Sequence, residues 1–253
     1  AHNWSQKIKW FLKIFLGKDL KIVCNSEGTK RQIAKDGFGN LLAAPNGADI
    51  EEFDNLGGKF EIRKKLALPL DKKIAMYVGH LYGWKGVEAM IDSAKLLQSN
   101  SDILFVIIGG DEEERSEYSA KIKNENITNV SLLGHKLKKD IPQYLTSADV
   151  LLLPNVATTE ESVNYTSPIK MFEYMASGVP ILASDLPSLR EVLNEENSVL
   201  VKPGDPQALS AGIKKLLSDA ELCRRITRNA KNDVKKYTWD AYAKKILDFL
   251  AIK

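Results

Sequence analysis

The feature that most constrains the fold is an alternation of short apolar runs with helical patterns along most of the chain. Short runs rich in Val, Ile and Leu are typical of strands that are buried on both faces of a parallel sheet. The segments between them carry apolar residues at helical spacing, as crossover helices do. The sequence therefore predicts an α/β fold in which helices cover both faces of a doubly wound parallel sheet.

The predicted strands are residues 20–24, 41–44, 74–78, 103–108, 130–133, 150–153, 180–183 and 199–201. The predicted helices are residues 27–35, 86–97, 112–124, 141–146, 168–177, 187–193, 220–236 and 239–252. One more helix is predicted to begin at Asp205-Pro206, with Asp as the N-cap and Pro at the first helical position. The C-terminal third is thus almost wholly helical.

Composition excludes several classes of protein. The chain has 253 residues, of which 44% are apolar, so it can bury a sizeable core and is neither disordered nor fibrous. Its net charge of +3 is too small to indicate a general nucleic-acid binder. Cys24 and Cys223 lack metal-like spacing, and a chain of this length needs no disulfides, which favours a reducing, cytoplasmic location. No apolar run approaches the roughly 20 residues of a membrane span.

A strong turn signal at Pro45-Asn46-Gly47 marks a candidate domain boundary. The single strand, helix and strand before it are too little for a domain. Residues 1–48 are therefore predicted to be the tail or remnant of a preceding domain. The chain begins with Ala and shows no signal peptide, which is consistent with that expectation.

Residues 4–16 place aromatic and aliphatic side chains at helical spacing, with lysines elsewhere on the turn. Such a basic, aromatic helix could lie on an anionic membrane surface. Packing of its apolar stripe on the rest of its own domain is the favoured interpretation, because such stripes are commonly core. Both interpretations stay open at this point.

The segment YTSPIKMFEYMASGVP, residues 165–180, has the richest motif. Ser167 is predicted to be an N-cap and Pro168 the first helical residue, whereas Gly178 is predicted to end the helix. The helix follows a buried strand, so its N-terminus should face the ligand crevice of the sheet, where free N–H groups favour a phosphate. Glu173 lies among large apolar residues. A buried carboxylate needs hydrogen-bond donors, which ribose hydroxyls could supply; an exposed position on the helix is the alternative.

Two further loops follow predicted strands. Residues 78–86, VGHLYGWKG, run from a strand through glycines into a helix, and Lys85 at the junction could neutralise phosphate charge. The loop fits neither the Walker pattern nor GxGxxG, so alone it could be a turn with a solvated lysine. Gly134, His135 and Lys136 follow another strand, where a flat base could meet the backbone; a plain loop is the alternative.

The sequence lacks the motifs of several common kinds of active site. There is no HExxH motif, no cluster of His or Cys and no Asp-x-Asp pair, so no metal site and no cofactor are predicted. No GxSxG elbow indicates a serine hydrolase. Residues 107–111, IIGGD, lack the dinucleotide fingerprint.

Taken together, the order of these segments resembles the group 1, or family 4, retaining glycosyltransferases, which have the two-lobed GT-B fold. The matching stretches are NSEGTKRQI, PNGADIEEF, YVGHLYGWKGVEAMIDSA, ADVLLLPN, YTSPIKMFEYMASGVPILASDLPSLREVL and LVKPGDPQAL. The resemblance implies that residues 49–236 form the Rossmann-like C-terminal lobe, which binds the nucleotide sugar. It implies that residues 1–48 end the N-terminal, acceptor-binding lobe, and that residues 237–253 form a helix packing back toward that lobe.

The resemblance also implies roles for individual residues. Lys85 is similar to the lysine that contacts the donor diphosphate, beside Gly79 in the phosphate loop. Glu173 is similar to the second glutamate of the family's paired motif, which holds the ribose hydroxyls. The remaining implied contacts are made by the backbone: the diphosphate by Ser167, Ile169 and Lys170, and the base by Gly134, His135 and Lys136. Asp149 is expected to be structural.

The sequence departs from the family pattern at two positions. The family commonly has an arginine directly after the first glycine of the phosphate loop, and this chain has His80, which is expected to act with Lys85 on the leaving diphosphate. The first glutamate of the pair should stand eight positions before Glu173, where this chain has Tyr165. Tyr165 is kept as a donor-site residue, while direct carboxylate contact with the sugar is put in doubt.

The function implied by the resemblance is transfer of a sugar from a nucleoside-diphosphate sugar to a glycan or lipid-linked acceptor. Retention at the anomeric carbon and independence of metals are implied with it, as is a bacterial polysaccharide or lipid-linked pathway, at the inner face of the membrane. The acceptor would be held by the missing lobe. The alternatives are a non-catalytic nucleotide-sugar-binding module and a GT-B-fold epimerase or phosphorylase.

Overall fold

The computed structural model describes residues 20–251, so the predicted helix at residues 4–16 lies outside the described part of the chain. The strands are β1 Ile22–Cys24, β2 Leu41–Ala43, β3 Lys73–Val78, β4 Ile103–Ile108, β5 Val130–Gly134, β6 Val150–Leu153, β7 Ile181–Ser184 and β8 Val199–Val201. The helices are α1 Glu27–Lys35, α2 Lys59–Lys65, α3 Val87–Leu96, α4 Glu112–Asn124, α5 Ile141–Ser147, α6 Ile169–Ser177, α7 Pro187–Arg190, α8 Pro206–Ser218, α9 Ala220–Asp233 and α10 Trp239–Leu250.

Six strands form one parallel sheet in the order β5-β4-β3-β6-β7-β8. Relative to the first strand of this sheet the order is 3-2-1-4-5-6, the arrangement of doubly wound dinucleotide-binding folds. The predicted α/β class is therefore confirmed. In such a sheet the chain leaves β3 and β6 toward opposite sides, which opens a crevice at the carboxyl ends of these two strands.

The core lies on both faces of this sheet. In β3, Ile74 and Met76 belong to one apolar cluster, and Ala75 and Tyr77 belong to the other. Since successive side chains of a strand point to opposite faces, a strand with helices on both sides has no polar positions. That is why residues 74–78 of β3 and all of β6 read as uninterrupted apolar runs, and why the alternation along the sequence predicts the sheet.

Asp149 has the structural role expected of it. Its carboxylate accepts hydrogen bonds from the backbone N–H of Ile74 at 2.7 Å and from Arg63 Nη2 at 2.6 Å. Lys59 Nζ lies 3.0 Å from the other oxygen. These donors hold the pKa of Asp149 below its ordinary value, although burial opposes them. The carboxylate thereby ties helix α2 to the start of β3.

β1 and β2 form a separate two-stranded parallel sheet. Helix α1, between them, contacts the larger domain through its N-terminus, where the N–H groups of Glu27 and Gly28 donate to the Glu191 carboxylate at 2.8 and 2.7 Å. Lys21, just before β1, contacts the last helix of the described chain: its Nζ donates to the Phe249 carbonyl in α10 at 2.9 Å. The first and last described elements thus lie side by side.

Some predicted boundaries are wrong. Helix α6 begins at Ile169 rather than Pro168, and its N-cap is Pro168, which makes no side-chain cap. Ser167 does not cap it, because the Ser167 hydroxyl instead accepts from the Asn46 N–H at 3.3 Å. The helix predicted at 187–193 ends at Arg190. Helix α2 was not predicted, because its mixed charges obscure a helical apolar face.

Candidate functional site

The candidate site lies in the crevice at the carboxyl ends of the strands. A cavity of about 250 Å³ is lined there by Val78, Gly79, His80, Ile108, Gly109, Gly110, His135, Lys136, Lys138 and Ile141. Four of the predicted site residues, Gly79, His80, His135 and Lys136, are thus brought together from two loops that are far apart in sequence. A larger groove of about 750 Å³ runs along α9 at the opposite end of α6, and none of the predicted site residues lines it.

Glycines allow the loops of this cavity to lie close to one another. Gly109 has φ of 119°, and a side chain there would overlap the Gly79 carbonyl oxygen. Gly134 has φ of 66° and lies beneath the Arg115 guanidinium, whose Nη1 would be 2.9 Å from an added Cβ. Both positions favour glycine on backbone grounds as well.

Lys85 ends a short 3-10 turn, Gly83–Lys85, between β3 and α3. The next residue, Gly86, has φ of 77°, and a Cβ there would overlap the Pro154 carbonyl oxygen, so the loop is fixed against the end of β6. Lys85 is only 9% exposed. Its Nζ lies 3.6 Å from the centre of the Trp84 ring, and among residues 20–251 no carboxylate pairs with it.

Burial lowers the pKa of Lys85 to about 8. A buried cation without a counter-ion is costly, because removal from water disfavours the charged form. A bound anion would supply the missing partner. The predicted contact of Lys85 with an anion stays a prediction.

Lys170 extends from the first turn of α6 toward the same loop. Its Nζ donates to the Tyr77 hydroxyl at 2.8 Å and lies 4.0 Å from the centre of the Tyr77 ring. A Cβ on Gly79 would overlap this ammonium group, so the glycine leaves room for it. Burial, together with the charge of Lys85, holds the pKa of Lys170 well below its ordinary value, while Glu173 acts in the opposite direction.

Sequence reasoning assigned only the Lys170 backbone to the site, and it missed the side chain. Tyr77 was missed too, because it reads as one more apolar position in a buried strand. The Tyr77 hydroxyl donates to the His80 carbonyl at 2.6 Å, which leaves its oxygen free to accept from Lys170. The signal available was a tyrosine at the end of a strand that leads into a glycine loop, since buried tyrosine hydroxyls require partners.

The His80 side chain is exposed, and its ring stacks on Tyr82, with centroids 4.9 Å apart and planes 3° from parallel. Its predicted contact with the leaving diphosphate stays a prediction. What the structure fixes is the His80 backbone, through the bond from Tyr77. The imidazole itself makes no described hydrogen bond to the neighbouring loops.

Glu173 is half-buried on α6 and makes no ion pair or hydrogen bond among the described residues. Burial raises its pKa, while Lys138 and Lys170 oppose the increase. Lys138 also lines the 250 Å³ cavity, so the carboxylate lies near it. Next in sequence, the buried Tyr174 hydroxyl accepts from the Val78 N–H at 2.9 Å and attaches α6 to the end of β3. Glu173 thus has the unused acceptor capacity expected of a ligand for hydroxyl groups.

The other predicted residues around the start of α6 differ in their surroundings. Ile169 is exposed, at 45%, whereas Ser167 is buried beside Asn46. Tyr165 ends a π-helical turn, Glu161–Tyr165, and its hydroxyl lies 3.4 Å from Gln32 Oε1 on α1. Tyr165 therefore faces the β1-α1-β2 segment. Its predicted donor contact stays a prediction.

Asn155, which sequence reasoning did not single out, follows β6 at the same edge. It is 1% exposed, and its side-chain nitrogen has no hydrogen-bond partner among the described residues. The next residue donates its N–H to the Trp84 carbonyl at 3.0 Å, so this loop adjoins the Lys85 turn. Buried polar groups are nearly always satisfied. Asn155 is thus a further unused donor beside the Lys85 turn.

Within residues 20–251 no three His, Cys, Asp or Glu side chains are grouped closely enough to hold a metal ion. In the same range no helix has both the length and the apolar character needed to cross a membrane.

The strand order and the cation-bearing loops at its switch point place the chain in the doubly wound α/β class. The family model for glycosyl transferases group 1 matches residues 58–233, which is more than half of the chain. The chain therefore belongs to the group 1 glycosyltransferases.

Two relatives illustrate the match. An uncharacterized glycosyltransferase of Methanocaldococcus jannaschii is 31% identical over 216 residues, which cover 82% of this chain and 53% of the relative. A putative teichuronic acid biosynthesis glycosyltransferase of Bacillus subtilis is 30% identical over 175 residues, which cover 67% of this chain and 39% of the relative. The chain thus spans about half the length of the relatives it matches.

Solved structures give the same fold. A glycosyltransferase from Rickettsia africae superposes with a TM-score of 0.82 at 17% identity, covering 98% of this chain and 67% of that one. Anabaena HepE, solved in complex with UDP and glucose, superposes with a TM-score of 0.78 at 20% identity, covering 91% of this chain and 62% of that one. The fold is that of the GT-B glycosyltransferases.

Proposed function

We propose that this chain is the donor-binding part of a retaining, metal-independent glycosyltransferase. It would bind a nucleoside-diphosphate sugar, with residues 49–236 as the C-terminal lobe of the GT-B fold. The observation that carries the proposal is Lys85, a buried cation without a counter-ion at the crevice where doubly wound folds bind their ligands.

The donor diphosphate would lie between the Lys85 turn and the N-terminus of α6. The helix presents free backbone N–H groups, among them those of Ile169 and Lys170, which favour an anion. In the transfer, the acceptor hydroxyl oxygen bonds to the anomeric carbon as the bond to the β-phosphate oxygen breaks. The bonding pair leaves with the nucleoside diphosphate, which also accepts the acceptor's proton. Loss of one preorganised donor to such developing charge typically slows a reaction by roughly 10²–10³-fold.

The nucleoside would lie in the 250 Å³ cavity, with its base against residues 134–136 and its ribose toward Glu173. A carboxylate whose pKa is raised by burial and which lacks donors is suited to accept from two ribose hydroxyls. The family neighbour from Anabaena was solved with UDP, which supports a nucleoside diphosphate as the ligand class.

The acceptor would be held mainly by residues outside this chain, because the relatives are about twice as long. A glycan or a lipid-linked acceptor fits the relatives named for teichuronic acid and amylovoran biosynthesis. We place the protein in the cytoplasm, with contact at the inner face of the membrane if the acceptor is lipid-linked.

Calorimetry with UDP, GDP and ADP, run beside an assay for sugar transfer by the same chain, tests the proposal. Tighter binding of one nucleoside diphosphate than of its nucleoside is expected, and Lys85→Met should remove most of that difference. Binding without transfer would assign the isolated chain as a binding module. If no nucleoside diphosphate bound better than its nucleoside, the assignment of the site would be wrong, and conversion of the donor sugar without an acceptor would favour an epimerase.

A further inference from the structure

The Lys170 ammonium group has no ion-pair partner that would explain its position in the fold. It lies between α6 and the Gly79 loop, and its one described hydrogen bond is to the neutral hydroxyl of Tyr77. Among residues 20–251 no carboxylate lies within ion-pair distance of it. Lys85, close enough to affect its ionisation, carries the same charge. Two neighbouring like charges without a counter-ion repel each other, and an anion between them would attract both and outweigh that repulsion.

We propose that Lys170 is the second cation of the diphosphate site and that Tyr77 positions it there. The inference rests on the proposed function, which it deepens by naming the side chain that complements Lys85. In this chain Lys170 would take the role that the resemblance assigned to position 80, where the exposed imidazole stacks on Tyr82 instead.

Tyr77 fixes the ammonium group through a directed chain of hydrogen bonds. Lys170 Nζ donates to the Tyr77 oxygen at 2.8 Å, and the Tyr77 hydroxyl donates to the His80 carbonyl at 2.6 Å. The ring is fully buried in β3, so the hydroxyl cannot move far. Burial also keeps the pKa of Tyr77 well above its ordinary value, so the hydroxyl keeps its proton at neutral pH.

The Gly79 backbone makes room for this arrangement. Gly79 has φ of 144°, and any Cβ there would overlap the Lys170 ammonium group while lying 3.3 Å from the Tyr77 hydroxyl. The glycine, the tyrosine and the lysine therefore pack as one unit. They come from the loop after β3, from β3 itself and from the first turn of α6, respectively. Lys170 belongs to the first turn of α6, whose free N–H groups favour an anion as well.

Two cations that come from different elements predict a preference for the diphosphate over the monophosphate. A single lysine would contact one phosphate group. Lys85, in the loop after β3, and Lys170, in α6, would together contact both phosphate groups of the diphosphate. Charge-assisted hydrogen bonds of this kind are stronger than neutral ones. Removing one cation should therefore affect the phosphates and leave the base and ribose contacts intact.

The test compares the nucleoside diphosphate that binds the wild-type chain best among UDP, GDP and ADP with its own monophosphate and nucleoside, by calorimetry. Lys170→Met should weaken diphosphate binding by roughly 10- to 100-fold, while nucleoside binding stays within about a factor of two. Lys170→Arg should retain part of the preference for the diphosphate over the nucleoside. Tyr77→Phe, which keeps the ring and removes the hydroxyl, should lose part of that preference. Lys121→Met is the matched control, because Lys121 is a surface lysine paired with Asp92 at 2.7 Å.

The outcomes separate this inference from the proposed function. If the wild-type chain prefers the diphosphate and Lys170→Met keeps the same ratio of diphosphate to nucleoside affinity, Lys170 is not the second cation. If Lys170→Met fails to fold, a Lys170→Gln variant and the Tyr77→Phe ratio decide the question. If the wild-type chain shows no preference for the diphosphate, the proposed function fails first, and this inference fails with it.

Discussion

Replacing Lys85 by methionine should stabilise the ligand-free protein while weakening its ligand binding. Methionine is close to lysine in length and is apolar, so it fits the pocket beneath Trp84 without the ammonium charge. Lys85 is 9% exposed and has no carboxylate partner among the described residues, so the folded chain holds an uncompensated charge that the unfolded chain leaves in water. The variant removes that cost.

The magnitude follows from the pKa. The pKa of Lys85 falls from 10.5 to about 8 in the folded chain. At 1.36 kcal/mol for each pH unit, the charge destabilises the fold by about 3 kcal/mol at pH 7, an upper bound for the gain in Lys85→Met. The cost is fully present below pH 8. Since the unfolded state binds more protons between pH 8 and pH 10.5, the stability of the wild type should rise across that window, and its difference from the variant should disappear.

Urea denaturation at pH 7 and at pH 10, with and without a saturating nucleoside diphosphate, measures both effects. Without ligand the variant should unfold at a higher urea concentration than the wild type at pH 7, and the gap should close toward pH 10. With ligand the difference in stability should narrow by about 1.5–3 kcal/mol, because that is what a lost charge-assisted hydrogen bond costs in binding. Lys121→Met, which breaks pairs with Asp92 and Glu88, should lower stability by less than about 1 kcal/mol and leave binding unchanged.

The reasoning would be refuted by a Lys85→Met protein that is no more stable than the wild type at pH 7. That result would mean that water or an unrecognised partner already solvates the ammonium group. If the difference in stability between the variant and the wild type were the same at pH 7 and pH 10, the proposed link to the ionisation of Lys85 would be contradicted.

Other substitutions test the scaffold that positions the site. Asp149→Ala should destabilise the fold by about 3–5 kcal/mol in urea denaturation, because it leaves the buried Arg63 charge unpaired; a loss below 1 kcal/mol would contradict that role. Gly86→Ala should weaken nucleoside-diphosphate binding more than nucleoside binding in calorimetry, since a Cβ at φ of 77° meets the Pro154 carbonyl and displaces the Lys85 turn. Glu191→Gln should increase amide hydrogen exchange in α1, whose first N–H groups bind that carboxylate; unchanged exchange would show that the contact is dispensable.

The fold could be predicted well because the central strands of the large sheet are buried on both faces. β6, for example, reads as the unbroken run VLLL, and all of its four residues are buried. Helix α2 escaped prediction because what anchors it is Arg63, whose charge hides its burial from any apolar pattern. The start of α6 was placed one residue early, because Ser167 reads as a cap while its hydroxyl is used by Asn46, 121 residues away in sequence.

The candidate site was predictable where backbone geometry defines it and less so where side chains converge. Gly79 and Lys85 follow a buried strand, so their position at the crevice follows from the sheet alone. Lys170 and Tyr77 are 93 residues apart, and their hydrogen bond depends on how α6 packs against β3. Charge at Lys170 reads from sequence as the solvated side of a helix, which is why its side chain was not assigned.

The low pKa of Lys85 has a chemical consequence. At pH 8 about half of its side chains carry a neutral amine, whereas roughly one in 250 ordinary lysine side chains does so. Neutral amines are nucleophiles, so Lys85 should react ahead of the surface lysines with a small aldehyde that carries a phosphate group. A bound diphosphate would restore the proton and block that reaction. The extent of labelling at this one residue, read by mass spectrometry, would then report how much of the site is occupied.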